Sequence, residues 1–402
     1  LRQLAAHEVG HTLGLAHSYS SSAENLASVM DYPHPSVGFE NGKISLAKAY
    51  DDKIGTWDKV SIAFGYQDFP VNTNEDKTLN NIIENSLQQG MTFLSDQDAR
   101  PTGGSHPFAH LWDNGKNASE ELSRVMQIRK QVLANFGERN IKTGAPMATL
   151  EEVLVPMYFF HRYQVEATSK QIGGLNYRYA LRGDNQPITE FVSAAAQNKA
   201  IDELLKTISP DALMLPENLL KQIPPRPLGY SRSRELIKGR TDLTFDALGA
   251  AESAAEITVS LMMHPARATR LVEYHARDNQ QPSLDFVLDK LLNTTVLAKT
   301  MNGYAGAVQM TVNNIILNNL FELAANNASS IVKGIVVGKL ESLKSKLIST
   351  VAMEKDNEWK THYGYLSRRI ADFQQNPDDF KVPDSLSAPP GQPIGDGLNC
   401  GY

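Results

Sequence analysis

Of its 402 residues only one is a cysteine, Cys400, so no disulfide forms within the chain. A single thiol does not fix the compartment, because many exported proteins carry no disulfides. Long hydrophobic runs are missing too: none approaches the ~20 residues of a membrane-spanning helix, so no span is expected. Charge of one sign is scarce. The 39 Lys and Arg set against 45 Asp and Glu give a formal −6, with no basic stripe interleaved with aromatics, which argues against a nucleic-acid partner. There is no internal repeat of fixed period and no export signal. The first residue is Leu1 rather than methionine, so the sequence reads as part of a longer precursor. The length still suffices for a sizeable core and for two or more domains.

What the chain does have is gathered at its start: "HEVGHTLGLAH" (residues 7–17), then "VMDY" (residues 29–32). His7 and His11 are four apart, so a helix places them one turn apart on one face, with Glu8 beside them. Gly14 lacks a Cβ and can take the left-handed conformation that ends a helix. The chain then turns back and His17 supplies a third nitrogen. Three neutral imidazoles at about 2.0–2.1 Å from a tetrahedral zinc leave a fourth position for water, as in a catalytic rather than a structural site. Glu8 is the natural base for that water. Each imidazole is expected to have a partner on its other nitrogen, because such partners fix the tautomer. HExxH alone arises by accident on helix surfaces; the extended spacing HExxHxxGxxH is far more specific.

His7, Glu8, His11, Gly14 and His17, followed by Met30 in a turn, resemble the metzincin superfamily of zinc peptidases. The resemblance implies Zn2+ held by His7, His11 and His17, Glu8 as general base, and Met30 as an apolar floor beneath the metal. It also implies a catalytic role for Tyr32, which matches a tyrosine of astacin-like and serralysin-like members, as an oxyanion donor or a switchable fifth ligand. The twelve residues between His17 and Met30 make a short loop for that superfamily, a departure that bears on the primed side of the cleft and not on metal ligation. The stretches "DDKIGTWDKVSIAFGY" (51–66), "SDQDARPTGGSHPFAHLWDNG" (95–115) and "FFHRYQVEATSKQIGGLNYRYALRGD" (159–184) are similar to large bacterial envelope or secreted metzincin-like peptidases. The similarity runs nearly the whole length, to "APPGQPIGDG". It implies hydrolysis of peptide bonds in a peptide or protein substrate and an extracytoplasmic location. In metzincins the roof of the cleft precedes the zinc helix, so the resemblance also implies a mixed α/β subdomain from an upstream N-terminal part of the same precursor. This chain alone is then expected to bind zinc and to hydrolyse little.

The expected fold class is mainly α. Residues 1–115 form the zinc helix, Met-turn and lower part of a metzincin-like catalytic domain, 116–376 a helical C-terminal region, and 377–402 a Pro/Gly-rich extended tail laid on the surface. Ile54, Trp57 and Ile62 recur at helical spacing and predict a helix packed behind the metal. Residues 67–115, rich in Asn, Asp, Gly and Pro, read as loop with short elements. Amphipathic helices are predicted near 119–136, 150–168, 188–208, 217–222, 245–275, 284–297, 305–325, 329–351 and 358–375, separated by breakers such as "IPPRPLG".

Other polar groups carry quieter expectations. His106 and His110 repeat the four-residue spacing, but Pro107 and the want of a neighbouring acid speak against a second zinc site. Asp96 and Asp98 read as turn caps before they read as calcium ligands, and Asp52, Lys53 and Asp58 as a solvated face or helix caps. His161 and Arg162, with Tyr158 and Tyr163, read as a satisfied, half-buried network, and the sequons at Asn117, Asn293 and Asn327 mean little if the source is bacterial. Two further functions compete with peptide hydrolysis: a cell-envelope binding or scaffold protein whose zinc is structural, and a zinc hydrolase acting on a non-peptide amide. An intact Glu8 speaks against the first, since a structural site needs no base.

Overall fold

The computed structural model describes residues 1–402 except 25, 41, 326–327, 378–379 and 392–402. Cys400, the Asn327 sequon and the end of the expected tail lie outside the described residues. The chain is mainly α, as its periodicity predicts.

The metal-binding motif opens the molecule on α1 (Arg2–Thr12). Gly14 at φ +80° turns the chain back after α1, a conformation that a side chain would strain. A short antiparallel hairpin of β1 (Gly38–Glu40) and β2 (Lys43–Ser45) follows, with Phe39 opposite Ile44. Next come α2 (Thr56–Tyr66), α3 (Glu75–Gln88) and the single turn α4 (Asp96–Ala99). The helix α2 is the one expected behind the metal, whereas α3 falls where loop with short elements is expected. Leu79, Ile82, Ile83 and Leu87 give α3 an apolar stripe that packs on α2, and Asn74 caps it by accepting from the Lys77 N–H. The Asn-rich composition hides that stripe.

The helical region runs through α5 (Ala118–Ala134), α6 (Leu150–Tyr158), α7 (Arg162–Ser169), the hairpin β3 (Leu175–Tyr177) and β4 (Thr189–Phe191), then α8 (Ala194–Thr207), α9 (Pro210–Leu213) and α10 (Glu217–Leu220). It ends in α11 (Ala247–Met262), α12 (Pro265–Arg277), α13 (Leu284–Thr294), α14 (Gly303–Ala325), α15 (Ser330–Met353) and α16 (Asn357–Gln375). Three of the predicted helices differ. The 150–168 helix is broken, because Arg129 Nε takes the Tyr158 carbonyl at 2.7 Å, the acceptor that a continuing helix would use. The 245–275 helix breaks before Pro265, which has no N–H to donate and instead starts α12 behind the N-cap His264. The start of the 188–208 helix is strand, since Thr189–Phe191 pairs with Leu175–Tyr177.

Helix α14 is apolar nearly all round and is therefore central, with α9, α11, α15 and α16 against it. The main core belongs to this helical region; the motif segment has only a small cluster of Tyr19, Tyr32, Leu94, Ala99, Ala109 and Leu111. Buried cations make up the difference. Lys170 Nζ, at the end of α7, donates to the carbonyls of Ala99 and Ala109, and burial pushes its pKa down to about 8. Arg270 on α12 reaches Gly103 O at 2.8 Å and Gly104 O at 3.2 Å, and Arg267 reaches Thr102 O at 3.3 Å. The helical region thus holds the 99–110 loop in place beside the motif.

Candidate metal centre

Helix geometry brings His7 and His11 together as the spacing requires, with Nε2 atoms 3.0 Å apart, and the turn at Gly14 delivers His17 to the same point. One ligand atom from each of the three lies within 4.8 Å of the others, and among the described residues no other group of three His, Cys, Asp or Glu converges in this way. Each Nδ1 is engaged elsewhere: His7 with Val29 O at 2.8 Å, His11 with Leu15 O at 3.0 Å, and His17 with Asp96 Oδ2 at 2.7 Å. These partners only accept, so in all three rings the proton sits on Nδ1 and Nε2 carries a lone pair. Tyr32 donates its hydroxyl to His17 Nε2 at 3.1 Å. The Nε2 atoms of His7 and His11 face each other as two lone pairs, an arrangement that repels unless a cation lies between them. Burial also lowers the pKa of His7 and of His17, in the latter against the pull of Asp96, which favours the neutral rings. The donor set therefore fits a metal that takes neutral imidazole.

Glu8 lies on the exposed side of α1, near enough for its charge to act on His7, and is not one of the converging groups. Met30 is buried beneath α1, and a Cβ at Gly10 would overlap its sulfur. Gly10, between Glu8 and His11, thus has a steric reason that the motif's spacing does not reveal. Asp96 does more than cap a turn. It also accepts from Tyr19 at 3.2 Å and from Arg100, and although burial alone would raise its pKa, the bonds from His17 and Arg100 bring it down. Asp98 is the turn cap, in a box with Ser95, and accepts from Tyr179 Oη at 2.6 Å. Asp96→Asn is expected to weaken zinc binding about 10–100-fold, because the imidazole loses its anionic partner. Competition with a fluorescent chelator measures this, and an unchanged affinity would count against the pairing.

Asp58 is the helix cap of its expectation, accepting from Gly55 N at 2.6 Å at the start of α2, but it is buried rather than on a solvated face and also accepts from Ser28 Oγ at 2.6 Å and Val29 N at 2.9 Å. It clamps the Met30 turn to the start of α2. Asp31, buried as well, lies with Asp113 around Ser22 Oγ, at 3.3 and 2.8 Å. Burial and then the Asp113 charge push the Asp31 carboxyl well above the usual carboxylate range.

His106 and His110 form no second centre. His106 Nε2 pairs with Tyr177 O at 3.1 Å and His110 Nε2 with Glu166 at 3.2 Å. His161 corrects its expectation: it is wholly buried rather than half-buried, and its Nδ1 has no partner among the described residues. Arg162 instead binds the carbonyls of Pro389 and Pro390.

A family described as Met-zincin matches residues 1–302. The chain belongs to that family. Its three histidines and Met30 lie within the matched part, which also takes in α5 to α13, so the Met-zincin match is not confined to the motif segment. Membership implies a metallopeptidase-type centre and zinc as its metal. No curated protein and no solved structure matches this Met-zincin chain.

Proposed function

We propose that the chain carries the catalytic centre of a zinc-dependent peptidase, with His7, His11 and His17 holding the metal. The observation that carries this reading is the convergence of three Nε2 lone pairs, each fixed by an acceptor on the opposite nitrogen, with a carboxylate one residue from the first ligand. When bound, zinc lowers the pKa of its water to about 7 and polarises the scissile carbonyl. Glu8 takes the proton of the attacking water and returns it to the departing amine. Tyr32 donates to the oxyanion, a role supported by its hydroxyl lying beside the metal ligand His17. Met30 fills the space beneath α1 and keeps water from that side.

The substrate is an extended peptide or protein. The metzincin resemblance supports an upstream part of the same precursor completing the cleft above α1. The resemblance to envelope and secreted peptidases supports an extracytoplasmic location. The exposure of Glu8 favours hydrolysis over a scaffold role, since a structural centre has no use for a solvent-facing base.

The test begins with metal. Chain stripped by chelator and titrated with zinc is expected to take up close to one equivalent, read by elemental analysis. The same protein carrying its upstream segment is expected to cleave a quenched unstructured peptide and to leave small non-peptide amides intact. Failure to take up zinc, or cleavage of the small amides alone, would overturn the reading.

A further inference from the structure

Residues 380–391 of the expected tail are extended and tied down. From Phe380, which packs against Phe321 and Phe373 at ring distances of 4.8 and 5.4 Å, the segment 380–391 runs across the helical region to the metal centre. It is tied along its length: Leu386 N donates to Glu252 at 2.8 Å, Gly391 N to Glu235 at 3.2 Å, and Pro389 O accepts from Arg162 Nη1 at 2.7 Å. Tyr163 Oη reaches Gly391 O at 3.4 Å, and a Cβ on Gly391 would stand 2.6 Å from Arg162 Nη1. Arg162 is itself held over the Phe159 ring at 5.1 Å.

Gly391 ends in a cleft of about 450 Å³ that His7 and Tyr32 also line. Much of the rest of the lining is apolar or aromatic, from Leu1, Leu4, Pro33, Pro35, Trp112 and Tyr163. Trp112 is held at φ +61°, uncommon for a bulky residue, and its ring packs 5.1 Å from that of Tyr163. Burial pushes the His34 imidazole down to about 4 and, with the Asp113 charge, pushes the Asp31 carboxyl up, so both shifts favour the neutral forms.

We infer that Gly391 forms part of the wall of this cleft, held there through the Arg162 contacts to the Pro389 and Pro390 carbonyls, and that this wall limits how large an aromatic or apolar substrate side chain can enter beside the metal. The inference rests on the peptidase reading for its substrate and on the geometry alone for the wall. Arg162 is a positioning residue; it acts through the carbonyls it holds.

Three forms of the full-length protein test this. Ending the polypeptide after Leu386 keeps Phe380, Val382 and Leu386 packed but removes the wall; ending it after Gly391 keeps the wall; Arg162→Ala keeps the chain but frees the latch. Quenched peptides that differ only in carrying Phe or biphenylalanine at one position report kcat/KM ratios. The form ended after Leu386 and Arg162→Ala are expected to shift that ratio by about tenfold or more toward the larger side chain, and the form ended after Gly391 to keep the parent ratio. A parent ratio in the form ended after Leu386 overturns the wall. A readout without hydrolysis is the 19F signal of 5-fluorotryptophan at Trp112, assigned with Trp112→Phe. A soluble nitroxide should broaden it more in the form ended after Leu386 than in the form ended after Gly391, and equal broadening overturns the wall. If no form cleaves any peptide, the peptidase reading fails, and the Trp112 signal alone then decides for or against the wall.

Discussion

Glu8→Gln is expected to take up zinc as the parent does and to hydrolyse an unstructured peptide about 10²–10⁴ times more slowly. The two halves of this result come from different parts of the site. Metal uptake depends on three Nε2 atoms whose tautomers are set by Val29, Leu15 and Asp96, and none of those contacts involves Glu8. In the proposed mechanism proton transfer depends on Glu8, next to His7 on the solvent side of α1, and glutamine has the same shape without the basicity. Single-turnover rates alongside elemental analysis separate the two. Zinc lost from the variant would make Glu8 a ligand; hydrolysis at the parent rate would remove it from the chemistry altogether.

Asp58→Ala should cost about 3–5 kcal/mol of stability, since it orphans two buried N–H donors and a buried hydroxyl at once. The effect is expected to spread. Val29 donates its N–H to Asp58 and lends its carbonyl to His7 Nδ1, so loosening the clamp misaligns a ligand that Asp58 never touches. Zinc affinity should fall with stability, by about 10–100-fold in the fraction that remains folded. Urea midpoints and chelator competition on the same preparation check both. A variant as stable as the parent would mean that the turn around Met30 holds itself. If stability drops while affinity is unchanged, the clamp and the ligand are independent.

Much of the centre was legible in the sequence because its central parts are local. His7, Glu8 and His11 share one helix, Gly14 is the left-handed stop, and His17 is the third residue after it, so 3.6-residue periodicity and one turn conformation suffice to bring the nitrogens together. The mainly helical fold was legible for the same reason: apolar stripes and caps act within a few turns. Helix breaks were less so, and the one at Tyr158 could not be read, because the carbonyl that fails to continue α6 is claimed by Arg129 from another helix. What only the tertiary structure decided is everything that acts across sequence distance. Asp96 sits 79 residues from His17, Asp58 lies 29 from Val29, and Arg162 meets Pro389 at a separation of 227. Their carboxylates and guanidinium have no periodic signature, since a surface charge and a buried clamp are written with the same letters. Burial and the direction of a partner's lone pair tell them apart, and both exist only after the core has closed.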